Sequence, residues 1–514
     1  MRTTNYDLLI VGAGVSGLVT AKHALQAGLS VLIIEASSKV GGVWAFDPDK
    51  PGGVMYSTRI NVSKYNYAFA GFPFPEEVSD FPDHREVLAY IEAYTIEYAI
   101  NKHIVFNTEV TRLEQSNSGN WIVNGRSSPG NSEQCWTAHS VAIASGHHRT
   151  PLWPKVPGLE NFKGRVLHSS QYKGNQYCFP VADKSALIIG FGNSGVDVAC
   201  DIAAKAASVV ISTRSGAWVL PNYIFGYPAD LYAARVLKWL PWQWTSNAYE
   251  KAIIAATGNP VRWGLRPAHK ALRSHPTVGG RLISLLQSKQ IRIAGGVQRV
   301  TEYGVVFDDG STYKADMLIF CTGYRIDFPF LSDKIRDVVF GATDNQVNLY
   351  MNMFSPQIGA SLAFIGLVQP DTGGLLPVSE MQARWLVNLH QKRVKLPSSK
   401  VMQQRINKDM EYRRKRYVNS PRHTIQCNTI AYNDEVAAWI DSSALRYRSP
   451  KFLFRLIFGT GGVDQWTNHR TKDIDQRIQN VPVPAAMKGL GWFVLSAGLM
   501  ITVTGLTLIV SFIV

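Results

Sequence analysis

Tyr6-Asp-Leu-Leu-Ile-Val-Gly12-Ala-Gly14-Val-Ser-Gly17 runs an apolar strand into three glycines, and helical spacing continues from Val15 to Gln26. A second apolar strand at 30–34 then ends on Glu35. Strand, glycine turn, helix and strand make a β-α-β unit. In such a unit the first glycine permits the tight turn and the second lets backbone approach a pyrophosphate. The third lets helix and strand pack closely, and the helix N-terminus faces the phosphates. Glu35, 23 residues after Gly12, stands where a carboxylate accepts hydrogen bonds from ribose hydroxyls. Three glycines alone also arise in an ordinary turn; here the strand, the helix and the acid agree with them. A carboxylate repels a 2′-phosphate, so this unit suits FAD or NAD and disfavours NADP.

The motif has an echo 178 residues on, counted from Gly12 to Gly190. Gly190-Phe-Gly192-Asn193-Ser194-Gly195 follows the apolar run Ala186-Leu-Ile-Ile, and the next strand, Val209-Val-Ile, leads into Ser212-Thr213-Arg214 instead of an acid. A guanidinium and two hydroxyls suit a 2′-phosphate, so this half should take NADPH. The plainer alternative for Arg214 is a surface charge at a strand end. The fold class expected is α/β, with two Rossmann-like dinucleotide-binding domains, the NADPH domain inserted in the FAD domain. The FAD domain is expected over 1–152 and 329–445, and the NADPH domain over 153–328. The latter carries an insertion at about 216–295 that faces a membrane or covers a cavity. Residues 446–488 form a peripheral segment. Between the two units, an amphipathic helix is expected at 84–99 and an antiparallel excursion of short strands at 104–141. A proline-rich boundary falls at 149–160, strand-like residues recur at 303–321, and apolar segments at 361–368 precede a helix expected at 377–390.

The chain has 514 residues, 46% hydrophobic and 18% charged, which excludes a disordered protein. Its five cysteines stand far apart and none precedes residue 135, so a disulfide scaffold and a dithiol reductase are both disfavoured. The histidines show no metal-ligand spacing, and no metal is expected. The net charge is +15, concentrated in 211–300 (twelve Lys/Arg, two acids) and 391–430 (eleven Lys/Arg, two acids). No nucleic-acid-binding motif accompanies this charge, which leaves an anionic membrane surface or a phosphorylated cofactor as its partner. After Lys488 the last 26 residues carry no charge. As a helix they would span ~39 Å against ~30 Å of hydrocarbon, so 489–514 are expected to form a transmembrane helix. Lys488, Arg477, Lys472 and Arg470 precede this tail and place the body on the cytosolic side. Residues 231–244 set three tryptophans beside Arg235 and Lys238, as in an interfacial segment or, equally, a cavity-covering helix.

Phe162-Lys-Gly164-Arg-Val-Leu-His168-Ser-Ser-Gln-Tyr172 matches F-x-G-x-x-x-H-x-x-x-[YF], and the chain thereby resembles the flavin-containing monooxygenases. Gly41-Gly42-Val43-Trp44 looks like that family's flavin segment. Ala144-Ser-Gly146 and Cys321-Thr322-Gly323-Tyr324 look like its linker strands, with Cys321 in place of the usual Ala. Ser274-His-Pro-Thr-Val278 and Gln382-Ala-Arg-Trp385 resemble the vertebrate-type branch, which also ends in a hydrophobic tail. The resemblance implies FAD and NADPH as cofactors, O2 and a small nucleophile as substrates, and an endoplasmic reticulum membrane as location; a homo-oligomer stays open. It implies that NADPH reduces the flavin, that oxygen adds to give a C4a-hydroperoxyflavin, and that a soft nitrogen or sulfur nucleophile takes the distal oxygen.

Family similarity also singles out Asn61, in Ile60-Asn-Val-Ser-Lys64, as the amide that supports the oxygen adduct, with Asn193 as a lesser candidate of the same kind. An amide offers donor and acceptor without a titrating proton; a turn residue is the alternative. His168 reads as a structural hydrogen-bonder between domains. Three rival activities remain at this stage. They are Baeyer–Villiger oxygenation of ketones, NADPH oxidation that yields H2O2, and a membrane-tethered flavoprotein acting as a redox-dependent binding module.

Overall fold

The computed structural model describes residues 5–494 except 179, 276, 342–344, 421–422, 447–448 and 468–470. Two sheets organise the chain. In the first, Ile104–Val105, Val31–Ile34, Asn5–Val11 and Glu133–Ile143 lie side by side and parallel. The long strand Glu133–Ile143 does two jobs. Its first half pairs antiparallel with Trp121–Ser127, which pairs with Thr108–Gln115, while its last residues pair in parallel with Leu362–Phe364 through Val141↔Leu362. Burial follows this division: residues 140–143 are buried throughout, whereas 133–137 are at least partly open to solvent. A parallel strand covered on both faces must be continuously apolar, and an antiparallel one with a wet face need not be.

The second sheet is parallel throughout, in the order Ile291–Ala294, Ser208–Ser212, Ser185–Ile189, Met317–Phe320 and Arg165–His168. All five strands fall between Ile143 and Leu362, so in chain order the second sheet is nested inside the first. The helix Val15–Gln26 has the bounds its spacing implies, and it packs against Leu375–His390, whose Trp385 is fully buried. The expected 84–99 helix ends at Glu97; its start is set by Asp83, which accepts from the Arg85 and Glu86 amides while Glu86 reaches back to the Asp83 amide.

Residues 231–244 are not one element. Short 3-10 turns at Ala229–Tyr232 and Arg235–Trp239 lead into the helix Trp242–Thr257. The transmembrane expectation for 489–514 falls largely on residues 495–514, which lie outside the described residues. Residues 485–494 are helical. Among the described residues no helix is long and apolar enough to cross a membrane.

Candidate active site

The two glycine loops are built alike. Gly12 (φ +106°) and Gly190 (φ +116°) adopt backbone that L side chains rarely enter. A Cβ on Gly12 would come to 2.8 Å from the Ala144 carbonyl oxygen, and one on Gly190 would collide with that of Cys321. The linker strands identified in the sequence therefore press against the glycine turns. A Cβ on Gly17 or Gly195 would likewise overlap the carbonyl oxygen of Gly12 or Gly190, which is the close helix–strand packing the third glycine permits. Gly14 and Gly192 are the N-caps of Val15–Gln26 and Asn193–Ile202, and neither helix start has a side-chain cap. Their first-turn N–H groups are thus left for an anion, and the bare glycines let it approach. Gly42 meets Gly14 across this cradle: a Cβ on Gly42 would lie 3.0 Å from the Gly14 Cα. Both loops fit a dinucleotide pyrophosphate.

Glu35 ends its strand as expected and holds the first loop. Its Oε2 accepts from the Ala13 amide at 2.6 Å, and its Oε1 accepts from the Ser37 amide and hydroxyl at 2.8 and 2.7 Å. An ionised carboxylate retains lone pairs for a ribose. At the matching point of the second unit Arg214 is exposed. Ser212 is buried and donates to the Gly295 carbonyl at 2.7 Å, so its proton serves the strand end; Thr213 donates at 3.4 Å to Gly216. Thr322 and Gly323 lie in the crossing between the sheets. The Thr322 hydroxyl donates to the Leu152 carbonyl at 2.5 Å, and the Gly323 carbonyl accepts from the Leu152 amide at 2.9 Å. The same carbonyl accepts from His168 Nε2 at 3.1 Å, while His168 Nδ1 accepts from the Ser170 amide at 3.1 Å. His168 is fully buried, and burial pushes its pKa below the ordinary histidine value, so the ring is a neutral tie between crossings.

A cavity of about 570 Å³ joins the two halves, and Trp44, Asn61, Asn193 and Ser194 all line it. One wall is the irregular stretch 53–61; the other is the helix Asn193–Ile202, through Asn193, Ser194, Asp197 and Asp201. Trp44 is held by donating from Nε1 to the Tyr67 hydroxyl at 2.9 Å. Asn193 accepts at Oδ1 from the Val278 amide at 2.8 Å, which ties the second glycine loop to the insertion. Asn61 differs. Among the described residues its side chain has no hydrogen-bond partner, so donor and acceptor both remain for a ligand in the cavity that it lines. The structure does not bring Glu35, Arg214, Thr322 or Gly323 into this cavity.

Sequence reasoning passed over two carboxyls here. Asp201 receives the Tyr172 hydroxyl at 2.6 Å and the Ser57 hydroxyl at 2.9 Å, pinning the 53–61 wall to the opposite helix. Tyr172 is therefore a hydrogen-bonder as well as a packing residue. Asp197 lies one turn earlier, and burial together with the neighbouring Asp201 charge pushes its carboxyl up to about 7. The signal was present: positions 193, 197 and 201 recur every four residues and share a helix face.

Two glycine-started helices fit to hold pyrophosphates, with a cavity between the two halves, define a flavoprotein oxidoreductase fed by a nicotinamide dinucleotide. The chain belongs to the flavin-binding monooxygenase-like (FMO-like) family, which matches residues 6–468, and it is an NADPH- and oxygen-dependent flavin monooxygenase that uses FAD. It is 36% identical to flavin-containing monooxygenase 5 of Cavia porcellus over 89% of this chain and 87% of that one. It is 32% identical to dimethylaniline monooxygenase [N-oxide-forming] 2 of Pan troglodytes over 94% and 93%. Among solved structures, S-allyl-L-cysteine S-oxygenase from Allium sativum superposes with a TM-score of 0.64 at 23% identity, covering 93% of this chain and 99% of that one.

Proposed function

We propose that this enzyme oxygenates soft nitrogen or sulfur nucleophiles of small molecules, from the cytosolic face of a membrane. The observation that carries the reading is the position of Asn61, unpartnered and on the same cavity as Trp44, Asn193 and Ser194. FAD, once reduced by NADPH, supplies the oxygen chemistry. This chain's residues bind the dinucleotides at the Gly12–Gly17 and Gly190–Gly195 loops and hold the walls together through Asp201. They also present one neutral amide that donates and accepts without supplying a proton of its own. No side chain of the cavity is required as a base toward the substrate. The names of two similar proteins, an N-oxide-forming monooxygenase and an S-oxygenase, support nitrogen and sulfur as the acceptors.

For the membrane, support comes from exposed aromatic side chains. Trp239 and Trp244 are about two-thirds exposed, as are Trp492 and Phe493 at the end of the described chain. The two groups adjoin one packed cluster containing Val236, Phe458 and Met487, and the Trp492 ring lies 5.5 Å from that of Phe454. The uncharged residues 489–514 would then be the anchor and the aromatic patch a second contact.

The oxygenase reading is tested by Asn61→Ala and Asn61→Asp. Both should bind FAD and be reduced by NADPH at near wild-type rates, yet divert electrons from product to H2O2. Unchanged yield of oxygenated product per NADPH in both would remove Asn61 from the reaction.

A further inference from the structure

Asn61 sits on a stretch with no regular secondary structure, so something other than a helix or strand ladder must fix it. Two residues on, Ser63 is fully buried, and its hydroxyl donates to Asp230 Oδ2 at 2.7 Å while its amide donates to Oδ1 at 3.2 Å. Asn66 Nδ2 adds a third bond to Oδ2 at 2.7 Å. Asp230 is 9% exposed and belongs to the turn Ala229–Tyr232 of the insertion, far from Ser63 in sequence. That turn is itself fixed from the far side. Five residues later the buried Arg235 grips Asp434 with Nε at 3.0 Å and Nη2 at 2.7 Å, and its Nη1 donates to the Leu456 carbonyl at 3.0 Å. Trp466 Nε1 donates to the same Asp434 at 2.8 Å. The segment 229–235 is thus a strap, riveted to the C-terminal body at one end and holding the Asn61 stretch at the other.

We infer that Asp230 is a positioning residue for oxygen transfer, which fixes Asn61 against the cavity through Ser63 and Asn66. The inference rests on the reading of Asn61 given above. A carboxylate is suited to the task because it accepts three bonds at once, and bonds to an ionised acceptor are about twice as strong as neutral ones. Misplacement of a positioned group by ~1 Å costs on the order of 10²-fold in rate, so a slack stretch would lose oxygenation before it lost flavin or NADPH. The insertion, whose outer side carries Trp239 and Trp244, would then set coupling efficiency from its inner side.

The test uses the full-length, FAD-loaded enzyme with Asp230→Asn, which keeps the shape but turns one acceptor into a donor, and with Ser63→Ala, which removes the donor from the other side. Flavin reduction by NADPH should stay within about two-fold of wild type in both. The share of NADPH recovered as H2O2 should rise at least about five-fold in each, and the double variant should be no worse than the worse single, because both cut the same tie. Backbone amides at 60–66 should exchange hydrogen at least about ten-fold faster. Wild-type coupling in both single variants overturns the inference, as does unchanged exchange at 60–66. If Asp230→Asn fails to fold, Ser63→Ala decides alone on the same two readouts. Asn61→Ala run alongside separates the failures. If it uncouples and the strap variants do not, the strap is wrong; if they uncouple and it does not, the reading of Asn61 is wrong.

Discussion

Asp197 shares a cavity wall with Asn193 and Asp201, and its elevated pKa gives the site a pH-sensitive group. An unfolded aspartate titrates near ~3.9, so between that pH and about 7 the folded protein keeps a proton that the unfolded chain has lost. Wild-type stability should therefore fall as pH rises through this window and level off above it. Asp197→Asn carries no such proton. Its melting temperature should gain on wild type from pH 5 to pH 7 and hold a constant lead above. A flat difference from pH 5 to 8 would show that Asp197 does not titrate there. Single residues were the least legible part of the sequence. Glycines and Glu35 could be read because their roles are backbone geometry and charge, which spacing encodes. Asp197 and Asp201 left only their four-residue spacing, and Asp230 left no signal, because what matters about them is what lies across the cavity or across the strap from them.

At the scale of elements, both β-α-β units follow from apolar runs and glycine punctuation, and the strand and helix bounds agree within a residue or two. The helix Ser399–Arg416 was not anticipated, for a physical reason: it buries only Met402, Ile406 and Arg416, too sparse a stripe to stand out among its charges. The insertion was legible as a place but not as a strap, since 3-10 turns leave no period in the sequence. What separates the two units chemically is the end of their second strand, Glu35 in one and Arg214 in the other. With Ser212 committed to Gly295, Arg214 is the group proposed to carry most of the 2′-phosphate contact. Arg214→Ala should weaken NADPH use by about 1.5–3 kcal/mol, roughly 10- to 150-fold in kcat/KM, and leave NADH use unchanged. Equal losses with both nucleotides would mean that Arg214 does not read the phosphate.

For the molecule as a whole, nesting one dinucleotide fold inside the other sets Trp44 and Asn61 of the first half and Asn193 and Ser194 of the second glycine loop on one cavity, with the insertion and the C-terminal segment packed together on a side rich in exposed aromatics. Arg235 is buried on Asp434 and Lys238 pairs with the same carboxylate, so neither is the cation the sequence suggested. A chain ending at Lys488 should still bind vesicles containing anionic lipid, more weakly as salt rises, because Trp239, Trp244 and the exposed Lys251 of the same helix as Trp244 remain. If it floats free of neutral and anionic vesicles alike at low salt, the tail is the sole anchor. The central claim is transfer of one oxygen atom from O2 to a small nucleophile, with Asn61 holding the site. It is tested most directly by giving the FAD-loaded enzyme NADPH, a thioether or tertiary amine, and ¹⁸O2. The account predicts one ¹⁸O in each sulfoxide or N-oxide formed, one NADPH consumed per product, and little H2O2. NADPH consumed with its electrons recovered as labelled H2O2, and no label in any product across a panel of such nucleophiles, would contradict it.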